Sequence, residues 1–584
     1  MSCDKLVFDL SQEVEGSPNI FIRKDWINIL DNQNQNYQNN QSIIDTSQLA
    51  NSNKYMSYRE AYLAIPLLLS VRSSSLVAGE VIEDFSLGLK NWFGTIIHSM
   101  TLDYNGTTIV QQTPFCNLWN SFKLMTTLSW ADVATMGPTI GFYPDTPDSF
   151  KYDTAVGNDT CLGIRNNDFT GLPSVTSDIT QNLGNQLTPN AGGNIAMAYR
   201  CKWISYDSEA ITGNGSTYNT FLGGVLPLGG GQSSQMSLIW KSNISNKFTG
   251  ILNTPACTQV SIMATVYLKH LHSFFNMCPL LKGVFMKLTL NLNNSSCVIQ
   301  YTDATTSLSV NSSTSYIGGT QPILVPSIDT SFIVTGMVGA DHTFTYDLMV
   351  GARSYNAAVN NPANGYRQGN VATSVYLYVP AYTFNPTFEQ AYLSNNIKQI
   401  KYTDIYQYQL IGANAIPAGN TFNNLITNGI ANIKSVLICP FYAENTGVAG
   451  NLIGYLSPFD TAGGGTVAPM ATISNFNVQI SGQNAIYNMQ KYTFEEWNNQ
   501  LYGQNAVNGG LTDGLTSGLI DFFGFQTSYS YYYVNVERML PVEQSVPKSV
   551  QILGQNLGAL PLSLLIFIEY GVQVSIDVLT GARV

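Results

Sequence analysis

Two stretches decide how this chain is read: HSMTLDYNGTTIV, His98 to Val110, and NFNVQISGQNAIY, Asn475 to Tyr487. Each places a β-prone run before a glycine turn, at Gly106 and Gly482, and a second β-prone run after it. Asn105-Gly106 between such flanks is a strong short hairpin signal, because both residues adopt positive φ cheaply. Each hairpin precedes a short amphipathic stretch bearing Phe and Trp-Asn: TPFCNLWNSF around Trp119 and KYTFEEWNNQL around Trp497. The spacing predicts helices there and a third in FNPTFEQAYLSNN after Phe384.

Two further pairings occur in the same order. CPLLKGVFMKLTLNLN matches LPVEQSVPKSVQILGQN, each a Pro-punctuated turn, a lysine (Lys282, Lys548) and a strand. SVYLYVPAYTF matches LSLLIFIEYGVQV. Three ordered matches indicate one β-module present twice, with a junction near residue 390. From Gly106 to Leu288 the first copy runs more than twice as far as Gly482 to Ile552 in the second. From Leu288 to Tyr376 it runs several times as far as Ile552 to Phe567. Insertions of that size are surface excursions, and they are assigned to segments 144–235 and 294–370, rich in Asn, Gly, Ser and Thr. Elsewhere strand signals dominate: KLTLNLN, Lys287 to Asn293, alternates with period two, and SYSYYYVNVERM is dense in Tyr and Val. The chain reads as all-β with occasional helices.

Composition narrows the role. Of 584 residues, 44% are apolar but only 11% charged, less than half the usual share, and there are 33 tyrosines. A surface poor in Lys and Glu and rich in Tyr suits extensive contact with other protein. The net charge of −11 and scattered Lys and Arg argue against wrapping nucleic acid, which needs clustered cations. The N-terminal MSCDKLVFDLSQEVEG has acids where a secretory signal needs an apolar core, so none is read. AYLAIPLLLSV and LPLSLLIFIEYGV are shorter than a membrane span, and Glu569 interrupts the second; both read as buried strands. The eight cysteines (Cys3, Cys116, Cys161, Cys201, Cys257, Cys278, Cys297 and Cys439) contain no CxxC pair and are expected as free thiols. Without a signal, Asn105-Gly106-Thr107 is expected unmodified.

A polar tract near the start stands apart. From Asn32 to Gln41 only Tyr37 interrupts a run of Asn and Gln, flanked by Trp26, Ile27, Ile29 and Leu30 before and Ile43 and Ile44 after. Residues 1–54 are expected as an N-terminal arm, an amide-rich strap that orders against a neighbouring molecule.

Chemistry is sparse. The four histidines are His98, His270, His272 and His342. His270 and His272 would share a face if YLKHLHSFF were a strand, but no third metal ligand lies nearby. The Gly-rich stretches LGGVLPLGGGQSS and TAGGGTVAP lack the Lys-Ser/Thr of a phosphate loop. Asp460-Thr461-Ala462 has Ala where an aspartic-protease triplet needs Gly, and Thr516 occupies the centre of GLTSG, so Ser517 is no nucleophile elbow. Glu495 and Glu496 are adjacent and diverge on a helix. No catalytic, cofactor-binding or metal-binding residue is assigned.

The residues that carry a family likeness are YMSYREAYLAIPLLLS, SVYLYVPAYTFNPTFEQAYLS, IKSVLICPFY, NVQISGQNAIY with NNQLYG and NGGLTDGLTSG, RMLPVEQSVPKSVQI, and EYGVQVSIDVLTGAR. Together with the duplication, they resemble the double jelly-roll major capsid proteins of eukaryotic DNA viruses, most of all those of polinton-like viruses and, more loosely, virophages. That resemblance implies two eight-stranded jelly rolls side by side, here assigned to residues 55–388, with the large insertions, and 389–584. It implies a structural, non-enzymatic subunit forming homotrimers of pseudo-hexameric outline that tile an icosahedral virion capsid, assembled inside a host cell without a cofactor. Its partners would be neighbouring capsomers, penton and minor capsid proteins, and in some viruses an inner membrane. Two other classes fit parts of the sequence: a carbohydrate-binding, lectin-like β-sandwich, which the Tyr content suits, and a two-domain β-sandwich hydrolase, for which no acid/base signature is found.

Overall fold

The computed structural model describes residues 19–33, 37, 40–50, 52–73, 88–111, 113–144, 257–304, 307–316, 322–324, 342–351, 374–442, 473–486, 492–505, 518–527, 529, 531–537, 545–578, 580 and 582–583. Eight strands of the first half carry its framework: β1 (Phe21–Leu30), β2 (Gln41–Asp45), β3 (Tyr62–Ser73), β4 (Ile97–Tyr104), β5 (Thr107–Val110), β6 (Cys257–Tyr267), β7 (Met286–Leu292) and β8 (Tyr376–Phe384). Eight more carry the second: β9 (Ile397–Leu410), β10 (Thr421–Ile430), β11 (Ile433–Tyr442), β12 (Ile473–Ile480), β13 (Gln483–Asn484), β14 (Tyr532–Asn535), β15 (Lys548–Asn556) and β16 (Leu562–Asp577).

Pairing is antiparallel and repeats. In the first half one sheet runs β1-β8-β3-β6 and the other β2-β7-β4-β5. In the second the orders are β9-β16-β11-β14 and β10-β15-β12-β13. Adding eight to each first-half label gives the second-half order. Strands taken in the order 1-8-3-6 and 2-7-4-5 define the jelly roll, a sandwich whose chain crosses between two sheets. The protein is a double jelly roll. β7 shows why its residues form this structure: its burial alternates along Met286, Leu288, Leu290 and Leu292, as a strand with one face on a core requires.

The repeat holds to the residue. Leu102 of β4 pairs with Leu288 of β7, and Val478 of β12 pairs with Ile552 of β15. The hairpin turn follows at the same offset in each copy, with positive φ at Asn105 and Gly106 (46° and 80°) and at Ser481 and Gly482 (49° and 81°). SVYLYVPAYTF and LSLLIFIEYGVQV supply β8 and β16, each central in its sheet. The three predicted helices are present as α1 (Cys116–Thr127), α4 (Pro386–Leu393) and α5 (Phe494–Asn505). Other helices include α2 (Trp130–Ile140), α3 (Ser273–Met277) and α6 (Phe522–Thr527).

Two expectations need correction. Phe21–Leu30 and Gln41–Asp45 are strands of the first sandwich, so the described part of residues 1–54 is framework and not an arm. The physical reason is the alternation inside the flanks: Ile29 and Ile44 are buried while their neighbours face out. The amide run only bridges the strands, and Tyr37 anchors it from within. Its hydroxyl accepts the Val375 N–H at 2.8 Å, and Asn294 donates to the Tyr37 carbonyl and to Asn40 Oδ1. The second correction concerns 294–370. Ser295–Ala304 and Ser307–Tyr316 form a hairpin that pairs with His342–Val350, and His342–Val350 joins β3, so all three strands extend the sheet. β8 reaches only Tyr62–Ala64 of the long β3, and His342–Val350 covers the remaining edge, Leu67–Ser73. Residues 145–235 of the other insertion lie outside the described residues.

AYLAIPLLLSV and LPLSLLIFIEYGV are the central strands β3 and β16. No described helix is long and apolar enough to cross a membrane. In both copies the long stretches of chain follow β3, β5 and β7 or their counterparts β11 and β13. β4 to β5 and β12 to β13 take only tight turns.

Candidate functional site

The residues singled out for chemistry do not converge. YLKHLHSFF is not a strand throughout: Leu268–Leu271 is a helical turn, and His272 is the N-cap of α3, its Nδ1 accepting the Phe274 N–H at 3.1 Å. His270 packs against the rings of Trp92 and Tyr267, and burial pushes its imidazole down to about 4. His98 lies against Phe115 and is pushed down to about 4 for the same reason. Among the described residues no group of three His, Cys, Asp or Glu could hold a metal. Glu495 and Glu496 sit in the first turn of α5, and Glu496 accepts from Gln500. Cys116, Cys278 and Cys439 are free thiols, and burial pushes Cys116 up to about 12. The Gly-rich stretches, Asp460 to Ala462, Thr516 and Ser517 lie outside the described residues. A cleft of about 880 Å³ opens where Ser273 and Met277 meet Lys401, Asn432 and Tyr570. None of its lining residues is His, Cys, Asp or Glu.

What the folding does build is a contact surface between the two sandwiches. α1, from the β5–β6 connection of the first sandwich, lies on the β9-β16-β11-β14 sheet of the second. Phe122 projects into an aromatic cluster, with ring centroids 5.2 Å from Tyr531, 5.6 Å from Tyr533 and 6.0 Å from Trp497. Trp119 meets Phe567 at 6.1 Å. Aromatic pairs at these separations add about 0.5–1.5 kcal/mol each beyond area burial. The helical stretches that sequence comparison paired, around Trp119 and Trp497, meet here in space.

Polar groups complete the surface. Lys123 Nζ stands 3.7 Å from the buried carboxylate of Glu569, which also accepts from Ser435 at 2.8 Å. His272 Nε2 faces Asp404 Oδ1 at 3.3 Å, both side chains 6% exposed. Because Nδ1 accepts from a backbone N–H, the ring proton sits on Nε2 and is donated to the carboxylate. β9 is an edge strand, and the first sandwich covers its open side: the Ser273 hydroxyl donates to the Thr403 carbonyl at 2.6 Å and accepts the Thr403 N–H at 2.9 Å. Thr113 donates to the Ile405 carbonyl at 3.0 Å, and Tyr402 donates to the Ile109 carbonyl at 2.6 Å. Burial, with Asp404 adding to it, holds the Tyr402 and Tyr570 phenols above their usual range. Sequence reasoning considered His272 only as a metal ligand and missed Asp404, Ser273 and Thr113, whose partners are over a hundred residues away. Only the repeated Trp-Asn helix signalled the place.

No protein-family model and no curated protein sequence matches the chain. Solved structures with a similar course of chain exist. A chain in the cryo-EM structure of the Sputnik virophage aligns at TM-score 0.41 and 11% identity, covering 98% of this chain and 90% of that one. The mavirus major capsid protein aligns at TM-score 0.41 and 9% identity over 98% and 92%. The Faustovirus major capsid protein aligns at TM-score 0.40 and 9% identity over 98% and 94%. The class of this protein rests on its own strand order, present twice.

Proposed function

We propose that this chain is a viral major capsid protein, a structural subunit that acts through its surfaces and carries out no reaction. The observation that supports this reading is the pair of jelly rolls locked together by α1, and the reading divides them between residues 55–388 and 389–584. Three such chains would present six sandwiches around one axis, and capsomers of that outline tile an icosahedral shell. In this reading assembly proceeds without a metal or cofactor. Neighbouring capsomers, penton and minor capsid proteins, and in some viruses an inner membrane, are the partners this role requires. The product belongs in the virion after assembly in a host cell. Among the described residues nothing favours the carbohydrate-binding alternative.

Light scattering and electron microscopy of the purified protein test this. The expected result is a particle of three chains with hexagonal outline, unchanged by EDTA. A stable monomer at micromolar concentration overturns the reading, since large obligate interfaces of about 2,000 Å² or more do not release subunits at that dilution.

A further inference from the structure

The contact inside the chain has a giver and a receiver. The giver is the β5–β6 connection of the first sandwich, carrying α1. The receiver is the β9-β16-β11-β14 sheet of the second, with β9 at its edge. Because the sandwich is duplicated, each part has a counterpart. The counterpart of the receiver is the β1-β8-β3-β6 sheet of the first sandwich, with β1 at its edge. The counterpart of the giver is the β13–β14 connection of the second, carrying α5 and α6.

Both counterparts expose large apolar side chains. Along the β1 edge, Ile22 is 65%, Trp26 51% and Leu30 53% exposed, whereas Ile405 of the covered β9 is 8% exposed. Asp31 donates to the Val375 carbonyl, so by the antiparallel alternation Lys24, Trp26, Asn28 and Leu30 turn their backbone groups away from β8. No strand pairs with that side among the described residues. Trp26 continues inward as an aromatic ridge, meeting Tyr62 at 5.7 Å, with Tyr62 stacked on Tyr378 at 5.0 Å. The pairs Lys24–Glu60 and Lys54–Asp25 rim it. On α6, Phe522 is 42% and Phe523 72% exposed.

We propose that a second copy of this chain docks here: α6 of one copy, with Phe523 foremost, packs on the Trp26–Tyr62–Tyr378 ridge and β1 edge of the next, repeating between molecules the contact that α1 makes within one. Such a contact is heterologous, giver on receiver, and each copy keeps one of each. It closes only as a ring. The inference deepens the capsomer reading and rests on it.

Light scattering on full-length variants tests it. Trp26→Glu combined with Leu30→Glu spoils the receiver, and Phe523→Glu spoils the giver. Each is expected to be a folded monomer where wild type is a trimer, while Trp130→Glu, at an exposed tryptophan elsewhere, stays trimeric. Mixing the two monomeric variants is the decisive step. One intact giver meets one intact receiver, so a one-to-one dimer forms and stops there. A receiver variant that remains trimeric, or a mixture that stays monomeric at tens of micromolar, overturns the proposal. If the double variant does not fold, Trp26→Ser replaces it, and an undiminished trimer again overturns the inference. A monomeric wild type instead sinks the capsomer reading itself, a distinct result.

Discussion

The ring of Phe122, from the first sandwich, stands nearly edge-on to that of Tyr531 in the second, at 74° with centroids 5.2 Å apart. It is 1% exposed. Phe122→Ala is expected to cost about 3–5 kcal/mol, the usual loss for a buried phenylalanine. The loss falls on the contact between sandwiches, so urea unfolding should change from one transition to two. A single transition with unchanged midpoint would show that Phe122 does not couple them.

Ser273 serves Thr403 twice, as donor and acceptor. Ser273→Ala leaves a half-buried N–H and C=O without that partner, a cost of about 1–3 kcal/mol. Ser273→Thr keeps the hydroxyl and should recover most of it. Thermal melts of the two variants make the comparison, and equal losses would mean the hydroxyl contributes nothing.

The two hairpin turns offer a test within one molecule. Ser481 holds φ 49°, where Asn105 holds φ 46° in the first copy. Asparagine tolerates this left-handed backbone better than serine. Ser481→Asn should therefore stabilise the protein by about 0.5 kcal/mol and Asn105→Ser should destabilise it similarly, read as opposite shifts in denaturation midpoint.

Acid should weaken the fold before carboxylates protonate in bulk. His98 and His270 are held down at about 4 by burial, against an ordinary value near 6.5. Between those values the unfolded chain binds protons that the folded chain does not, so stability falls as pH drops through that window. Melting temperature should decline by a few degrees from pH 7 to 4.5. His270→Leu should flatten that decline, and an equally steep one would place its cause elsewhere.

The fold was legible because duplication supplied an internal comparison. Gly106 with Gly482, and Leu288 with Ile552, mark the same turn and the same strand, and the periodic strands could be read locally. The first two strands were not legible. A run of Asn and Gln suggests solvent, and only the alternation of Ile27 and Ile29 against Trp26 and Leu30 hinted at a sheet edge. His342–Val350 was hidden for a different reason: a strand that fills another's leftover edge is recruited by β3 and not by its own pattern. The contact between sandwiches was the least legible part. Ser273 and Thr403 lie 130 positions apart, and nothing in either segment names the other.

One asymmetry of the sandwiches bears on what the chain can become. Successive strands of a jelly roll run in opposite senses, so the connections after the odd-numbered strands emerge at one end and those after the even-numbered strands at the other. The longest connections follow odd-numbered strands, and the tight Asn105-Gly106 and Ser481-Gly482 hairpins belong to the opposite end. Lengthening or rewriting those connections outside α1, α5 and α6 leaves strand register and the far end untouched. The molecule thus separates a face that is free to diversify from a base that must stay as it is.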